Sequence, residues 1–250
     1  MNRKLVIHLL GAILLIEALA MLPSLAVALA YGDGDAMAFL YTIGLLVVLG
    51  LPAWLWVRPG DGNLRAREGF TVVALAWLLL SAFGALPFVF SGLIPNYVDA
   101  FFESVSGFTT TGSTIMTGFD NLPHGVMFWR SFTHWIGGMG VLVLTLALLP
   151  QMTGRTAHLV RAESPGPSLS KIVPKMGDSA KILYCIYFVL TVIMFGVLVL
   201  AGMGPYDAAI HALGTAGTGG FSNYAASVGA FDSAAIDIII TVFMVLFGLY

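Results

Sequence analysis

The stretch Gly107-Phe108-Thr109-Thr110-Thr111-Gly112-Ser113-Thr114 (GFTTTGST) places five hydroxyl side chains and two glycines together in the middle of a very apolar chain. Around it, 58% of the 250 residues are hydrophobic, 10% are charged, and the mean hydropathy is +0.93. A soluble domain carries about a quarter charged residues. The apolar residues come in bilayer-length runs, so the chain reads as an integral membrane protein. Its formal net charge of −2 leaves no basic face to hold phosphates, which excludes nucleic-acid binding. The single cysteine, Cys185, excludes an intrachain disulfide and reads as a small lipid- or core-facing residue. The first apolar run, 5–30, is too long for a signal peptide and lacks a cleavage pattern, so it reads as an anchor.

Spanning helices are expected at 5–30, 36–57, 69–91, 122–149, 180–202 and 232–250, each near the roughly 20 residues a bilayer requires. Two further segments, 95–114 and 204–222, are moderately apolar but too short to span. With alternating spans, Arg3, Lys4, Arg58, Arg65, Arg67, Arg155, Arg161, Lys171, Lys175 and Lys181 share one side. The positive-inside rule makes that side, and the N-terminus, cytoplasmic. The opposite side holds Asp33, Asp35, Asp99, Asp120, Asp207 and Asp232, with Glu103 and Asp237 near it. Such an acidic outer vestibule would concentrate cations.

The two short segments repeat one another. Each has a proline (Pro95, Pro205), then an aspartate (Asp99, Asp207), about ten helix-compatible residues, and a Thr/Gly-rich stretch, GFTTTGST or ALGTAGTGGFS. Each is flanked by spans, so a span, half-helix, glycine loop and span occur twice, at 69–149 and 180–250. A half-helix in a membrane must bury its loose end in protein or face a water-filled cavity. The aspartates suit the N-terminal turns, and the C-terminal ends would then point partial negative charge inward, where a cation is favoured. Glycine lets successive carbonyls turn one way, and threonine adds an oxygen without bulk. Several such loops around an axis would form an oxygen ring that replaces a cation's hydration shell.

The segments ESVSGFTTTGST (103–114), FWRSFTHWIGGMGVLVLTLALLP (128–150) and HALGTAGTGGFS (211–222) resemble the signatures of the TrkH family, within the Trk/Ktr/HKT superfamily of potassium transporters. The resemblance covers nearly the whole chain, including a leading helix pair. It implies an all-α membrane protein whose span, re-entrant pore-helix, span repeats surround a pseudo-fourfold axis. The expected organisation is two N-terminal helices in 1–60, a first pore repeat in 61–150, a cytoplasmic linker in 151–179 and a second repeat in 180–250. The implied function is K+ uptake through a backbone-carbonyl filter in the bacterial inner membrane, with K+ as the transported ion. The implied filter residues are Thr110, Thr111, Gly112 and Ser113 in the first repeat and Gly217, Thr218, Gly219 and Gly220 in the second. The signature glycine is Gly112 in the first repeat and Gly219 in the second. Ungapped alignment from Asp99 and Asp207 instead pairs Gly112 with Gly220. A glycine at 112, not a serine, is the pattern associated with potassium over sodium. The implied partners are a TrkA-type cytosolic nucleotide-binding subunit, to which the basic loop 151–181 would contribute, and a second copy in a homodimer.

The family has four repeats and this chain carries two. A piece of a longer protein is the favoured reading, because FMVLFGLY at its end has no basic anchor; two copies assembling is the alternative. A superfamily member passing Na+ as readily as K+ is a second alternative for the function. Arg130, two turns into the fourth span, needs a partner, and Glu103 or filter carbonyls are expected to supply it, bracing the loop. His124, His134 and His211 lack any metal-ligand spacing and are expected to make interhelical hydrogen bonds. Gly137, Gly138 and Gly140 read as close packing or a bend, Pro23 and Pro52 as kinks or helix ends, and Glu17 has no assigned role. An intramembrane enzyme with a Ser/Thr nucleophile and His134 or His211 as base lacks a nucleophile elbow, so no enzymatic activity is expected.

Overall fold

The computed structural model describes residues 2–57, 66–119, 122–140 and 176–249. Every regular element among the described residues is helical. In chain order these are α1 (Arg3–Ala20), α2 (Leu22–Tyr31), α3 (Ala36–Leu55), α4 (Ala66–Gly84), α5 (Leu86–Phe90), α6 (Tyr97–Phe108) and α7 (His124–Gly138). Then come α8 (Met176–Leu200), α9 (Pro205–Ala216), a 3-10 turn at Ser227–Phe231 and α10 (Ala234–Gly248). Much of the linker expected at 151–179, and residues 141–149 of the span expected at 122–149, lie outside the described residues.

By length and apolar composition, Arg3–Tyr31, Ala36–Leu55, Glu68–Phe90 and Lys181–Leu200 can each cross a membrane, and Ala234–Gly248 is a shorter apolar helix. The first and third expected spans are each broken. Met21 separates α1 from α2, whose first turn holds Pro23, and Ala85 separates α4 from α5, whose first turn holds Pro87. A proline lacks the N–H that the continuing ladder needs but fits a helix's first turn. Pro52, by contrast, lies inside α3, which runs on to Leu55.

Helix α1 lies directly on α3. A Cβ on Gly11 would stand 2.7 Å from the Ala53 Cβ, and one on Gly50 would stand 2.9 Å from the Gly11 carbonyl oxygen. Small residues allow this approach, and van der Waals contact is the main attraction between helices in lipid. Helix α7 is the hub, packed against α2, α6 and α9. Its fully buried Trp129 donates from Nε1 to the Gly84 carbonyl at 2.9 Å, and its Trp135 donates to Thr191 Oγ1 on α8 at 3.1 Å. The outer faces of α3, α8 and α10 expose Val48, Phe188, Val192, Ile193, Val242 and Val245, the apolar surface that a lipid-facing helix needs. Cys185 is exposed on α8. Glu17 on α1 is buried, and neither of its carboxyl oxygens has a hydrogen-bond partner.

Candidate functional site

Helices α6 and α9 are both 12 residues long and begin alike. The Asn96 side chain caps α6 by accepting from the Val98 amide at 3.0 Å, Pro205 opens α9, and Asp99 and Asp207 occupy the first turns. Carboxylates there complement the positive end of the helix dipole. Both helices also end alike. The Thr110 amide donates to Gly107 O and the Thr111 amide to Ser106 O, each at 3.0 Å. In the second repeat the Thr218 amide donates to Thr215 O at 2.8 Å and the Gly219 amide to Gly214 O at 3.2 Å.

The loops then follow the same left-handed path. Thr110 has φ 54° and Gly112 φ 75°; Thr218 has φ 56° and Gly220 φ 82°. By backbone conformation, therefore, Gly112 corresponds to Gly220, the pairing that ungapped alignment from the two aspartates gives. A threonine held in this region costs roughly 1–2 kcal/mol, so the surrounding contacts must impose it. Thr111, Ser113, Thr218 and Gly220 are exposed, Thr110, Gly112 and Gly219 are half-buried, and Gly217 is buried. The loops face each other: a Cβ on Gly112 would overlap the carbonyl oxygen of Gly219.

Glu103, fully buried on α6, holds the limb that follows the first loop. Its Oε1 accepts from Thr114 Oγ1 at 2.8 Å and its Oε2 from the Ile115 amide at 3.1 Å. Arg130 on α7 donates from Nε to Glu103 Oε1 at 2.6 Å and from Nη1 to the Ser222 carbonyl beyond the second loop at 3.1 Å. Its guanidinium carbon lies 3.5 Å over the Phe221 ring. Glu103, one of the partners expected for Arg130, is thus present, the carbonyl it reaches lies just past the expected filter residues, and one cation joins both repeats. Arginine's fixed fork of donors suits this geometry. The Ser106 hydroxyl donates to the Ser113 carbonyl at 2.6 Å, a further tie between α6 and its loop.

The WIGGMG glycines bring α7 against both short helices. A Cβ on Gly137 would overlap the Phe108 carbonyl at the end of α6, and one on Gly138 would stand 2.8 Å from Gly217 Cα at the end of α9. Interhelical hydrogen bonds were expected of the histidines, and His211 departs from this. His134 stacks on Phe221 at 3.9 Å, lies against Gly219 and approaches the Ser106 backbone of α6. His211 bonds within its own repeat, to the Asp207 carbonyl at 2.8 Å and Ser222 Oγ at 3.1 Å.

At the N-terminal end of α7, Pro123 offers no side-chain cap, and aspartates far away in sequence take its place. Asp33 Oδ2 accepts from the His124 amide at 2.9 Å and meets its Nδ1 at 2.6 Å; Asp35 Oδ2 accepts from the Val126 amide at 3.0 Å. Tyr31 stacks on His124 at 3.9 Å, and the Tyr206 hydroxyl donates to the His124 carbonyl at 2.8 Å. The backbone and side-chain hydrogen bonds from His124 hold the Asp33 carboxyl below the usual range. Burial pushes Asp35 the other way. Asp33, Asp35, Asp207 and Glu103 of the expected acidic vestibule are all engaged with protein groups; Asp120 lies outside the described residues. No sequence motif marked the capping aspartates, because a cap supplied from 91 residues away has no local spacing.

Bilayer-length helices around two matched short helices with glycine loops define an all-helical membrane protein built on a repeated unit. The sequence profile of the TrkH family, described as a cation transport protein, matches residues 36–249, and the chain belongs to that family. It is 44% identical over 239 residues to the Trk system potassium uptake protein TrkH of Escherichia coli K12, covering 94% of this chain and 49% of that protein. The TrkH of Halomonas elongata is 40% identical over 248 residues, covering 98% and 52%. The crystal structure of the potassium transporter TrkH from Vibrio parahaemolyticus superposes with a TM-score of 0.80 at 38% identity, over 97% of this chain and 49% of that one. The chain spans about half the length of the curated relatives it matches.

Proposed function

We propose that this chain forms two walls of a potassium-conducting pore, in which the loops after α6 and α9 present main-chain carbonyl oxygens to a dehydrated K+ ion. The observation that carries the reading is the shared left-handed path at Thr110/Gly112 and Thr218/Gly220, each at the C-terminal end of a half-buried 12-residue helix. Helix C-termini carry partial negative charge, and carbonyls turned one way stabilise a monovalent cation without covalent chemistry, so no enzymatic step is involved. The filter set is Thr110, Thr111, Gly112 and Ser113 with Gly217, Thr218, Gly219 and Gly220. Glu103 and Arg130 support it from behind.

In this reading the protein lies in the bacterial inner membrane with its N-terminus cytoplasmic, as the distribution of lysine and arginine favours. Residues 1–60 form a peripheral helix pair, 61–150 and 180–250 the two pore repeats, and 151–179 the linker. Two walls do not close a pseudo-fourfold ring, so two further repeats complete it, carried by the same polypeptide or by a second copy. A TrkA-type nucleotide-binding subunit on the cytoplasmic face and a homodimeric assembly follow from the family.

The test is uptake of K+ or Rb+ in a bacterial host deficient in potassium uptake, with the chain in its full genetic context and Na+ as competitor. Rescue of growth at low K+, with Na+ a poor competitor, supports the reading. Equal competition by Na+ makes it a general monovalent-cation pathway, and no uptake at normal membrane abundance removes the function.

A further inference from the structure

The two repeats secure the limb beyond the loop at the same positions with different chemistry. At the offset that pairs Asp99 with Asp207, Glu103 falls on His211, Thr114 on Ser222 and Met116 on Tyr224. The contacts follow suit. Thr114 Oγ1 donates to Glu103 and accepts from the Met116 amide at 3.1 Å; Ser222 Oγ meets His211 Nε2 and accepts from the Tyr224 amide, both at 3.1 Å. Where the first repeat uses a carboxylate held by Arg130, the second uses an imidazole.

The partners of His211 determine its tautomer. The Asp207 carbonyl can only accept, so Nδ1 carries the proton and donates to it. Nε2 is then an acceptor. Ser222 Oγ already accepts from the Tyr224 amide, which leaves its own proton for Nε2. With a protonated ring the contact persists, Nε2 then donating to the second lone pair of Ser222 Oγ, so the tie does not depend on the charge of the ring. The limb has two further ties to α9, from Asn223 Nδ2 to Asp207 Oδ1 at 2.7 Å and from the Tyr224 hydroxyl to Asp207 Oδ2 at 3.0 Å. The charged and titratable groups around the ring are Asp207 on its own helix, Tyr224 on the limb and Arg130, which reaches the Ser222 carbonyl from α7. Phe231 of the 3-10 turn closes the remaining side edge-on at 5.2 Å.

We propose that His211 is a positioning residue for the second loop: through Ser222 its ring holds the limb that follows Gly220, the part that Glu103 plays through Thr114 in the first repeat. The claim rests on the pore reading above, and it makes ion discrimination by the second wall depend on the tie between His211 and Ser222.

The test uses the full-length protein in lipid nanodiscs and in the uptake-deficient host, with Ser222→Ala, Ser222→Thr and His211→Gln. Protection of the Tyr224 amide from hydrogen exchange, corrected for intrinsic rates, should fall about tenfold in Ser222→Ala and stay near wild type in Ser222→Thr, which reproduces the residue at Thr114. Preference for K+ over Na+ should fall in Ser222→Ala and return in Ser222→Thr, and His211→Gln, which loses the ring that meets Ser222, should lose both protection and preference. Unchanged protection in Ser222→Ala or in His211→Gln overturns the proposal. If the wild-type protein carries no K+ yet shows this protection pattern, the pore reading fails and the role of His211 in holding the limb stands.

Discussion

Arg130 Nε lies 2.6 Å from Glu103 Oε1, with the two side chains 2% and 0% exposed, and the same guanidinium reaches Ser222 in the other repeat. Removing one member of a buried pair strands the other without water, at a cost of about 3–5 kcal/mol. Arg130→Gln should therefore lower stability by that order in denaturation of the detergent-solubilised protein, and should weaken K+ discrimination in the surviving fraction. A loss below about 1 kcal/mol, the range of solvated pairs, would show that the bridge is not buried in the working protein.

Gly112 combines a left-handed φ of 75° with a Cβ direction that runs into the Gly219 carbonyl. Gly112→Ser should cut K+ uptake at least about tenfold, since both strain and displacement of a loop carbonyl oppose it. Gly118→Ala is the control: a Cβ there meets nothing within 4 Å, and uptake should match wild type. Equal uptake by the two variants would separate Gly112 from conduction.

Gly137 and Gly196 both lie within helices, yet their surroundings differ. A Cβ on Gly137 overlaps the Phe108 carbonyl, while one on Gly196 meets nothing within 4 Å. Gly137→Ala should lower the thermal midpoint by forcing α7 away from α6. Gly196→Ala should leave it unchanged or raise it, alanine being favoured over glycine in helices by about 1 kcal/mol. Thermal unfolding monitored by tryptophan fluorescence decides between them.

Asp33 contributes stability with a defined pH dependence. Its folded-state pKa is depressed, chiefly by the backbone hydrogen bond from His124, so the contribution is present above the ordinary carboxylate value of about 3.9 and disappears as pH falls through the lower folded value. Asp33→Asn should therefore be less stable than wild type near neutrality, and the two denaturation curves should converge at strongly acidic pH. A gap that persists there would assign the effect to packing against Tyr31 and Tyr206.

The repeated unit was legible because its signals are local. Asp99 and Asp207 stand at helix starts, and threonine and glycine follow at helix ends, all within about a dozen residues that one helix and its caps determine. The partner of Arg130 was also legible, because a charge inside a span leaves few options and Glu103 was near in topology. Pro23 marked the break at Met21, but the break at Ala85 was not read. Hydropathy reports apolar length and is blind to a one-residue interruption, even though Pro87 stood beside it. His211 was misjudged because its bonds close within one repeat, to Asp207 and Ser222.

By itself the sequence determined that this chain lives in a membrane, that a span and short-helix unit occurs twice, and that threonine and glycine end each short helix. These properties follow from composition and from interactions within one or two helical turns, so they survive any choice of packing. The tertiary structure alone decided that Gly112 faces Gly219, that Arg130 reaches on to Ser222, and that Asp33 and Asp35 cap α7. Those contacts link residues 91 to 107 positions apart. Only the docking of α7 between the two short helices brings such groups within hydrogen-bonding reach, and in a bilayer that close approach rests on glycines with no side chain to keep the backbones apart.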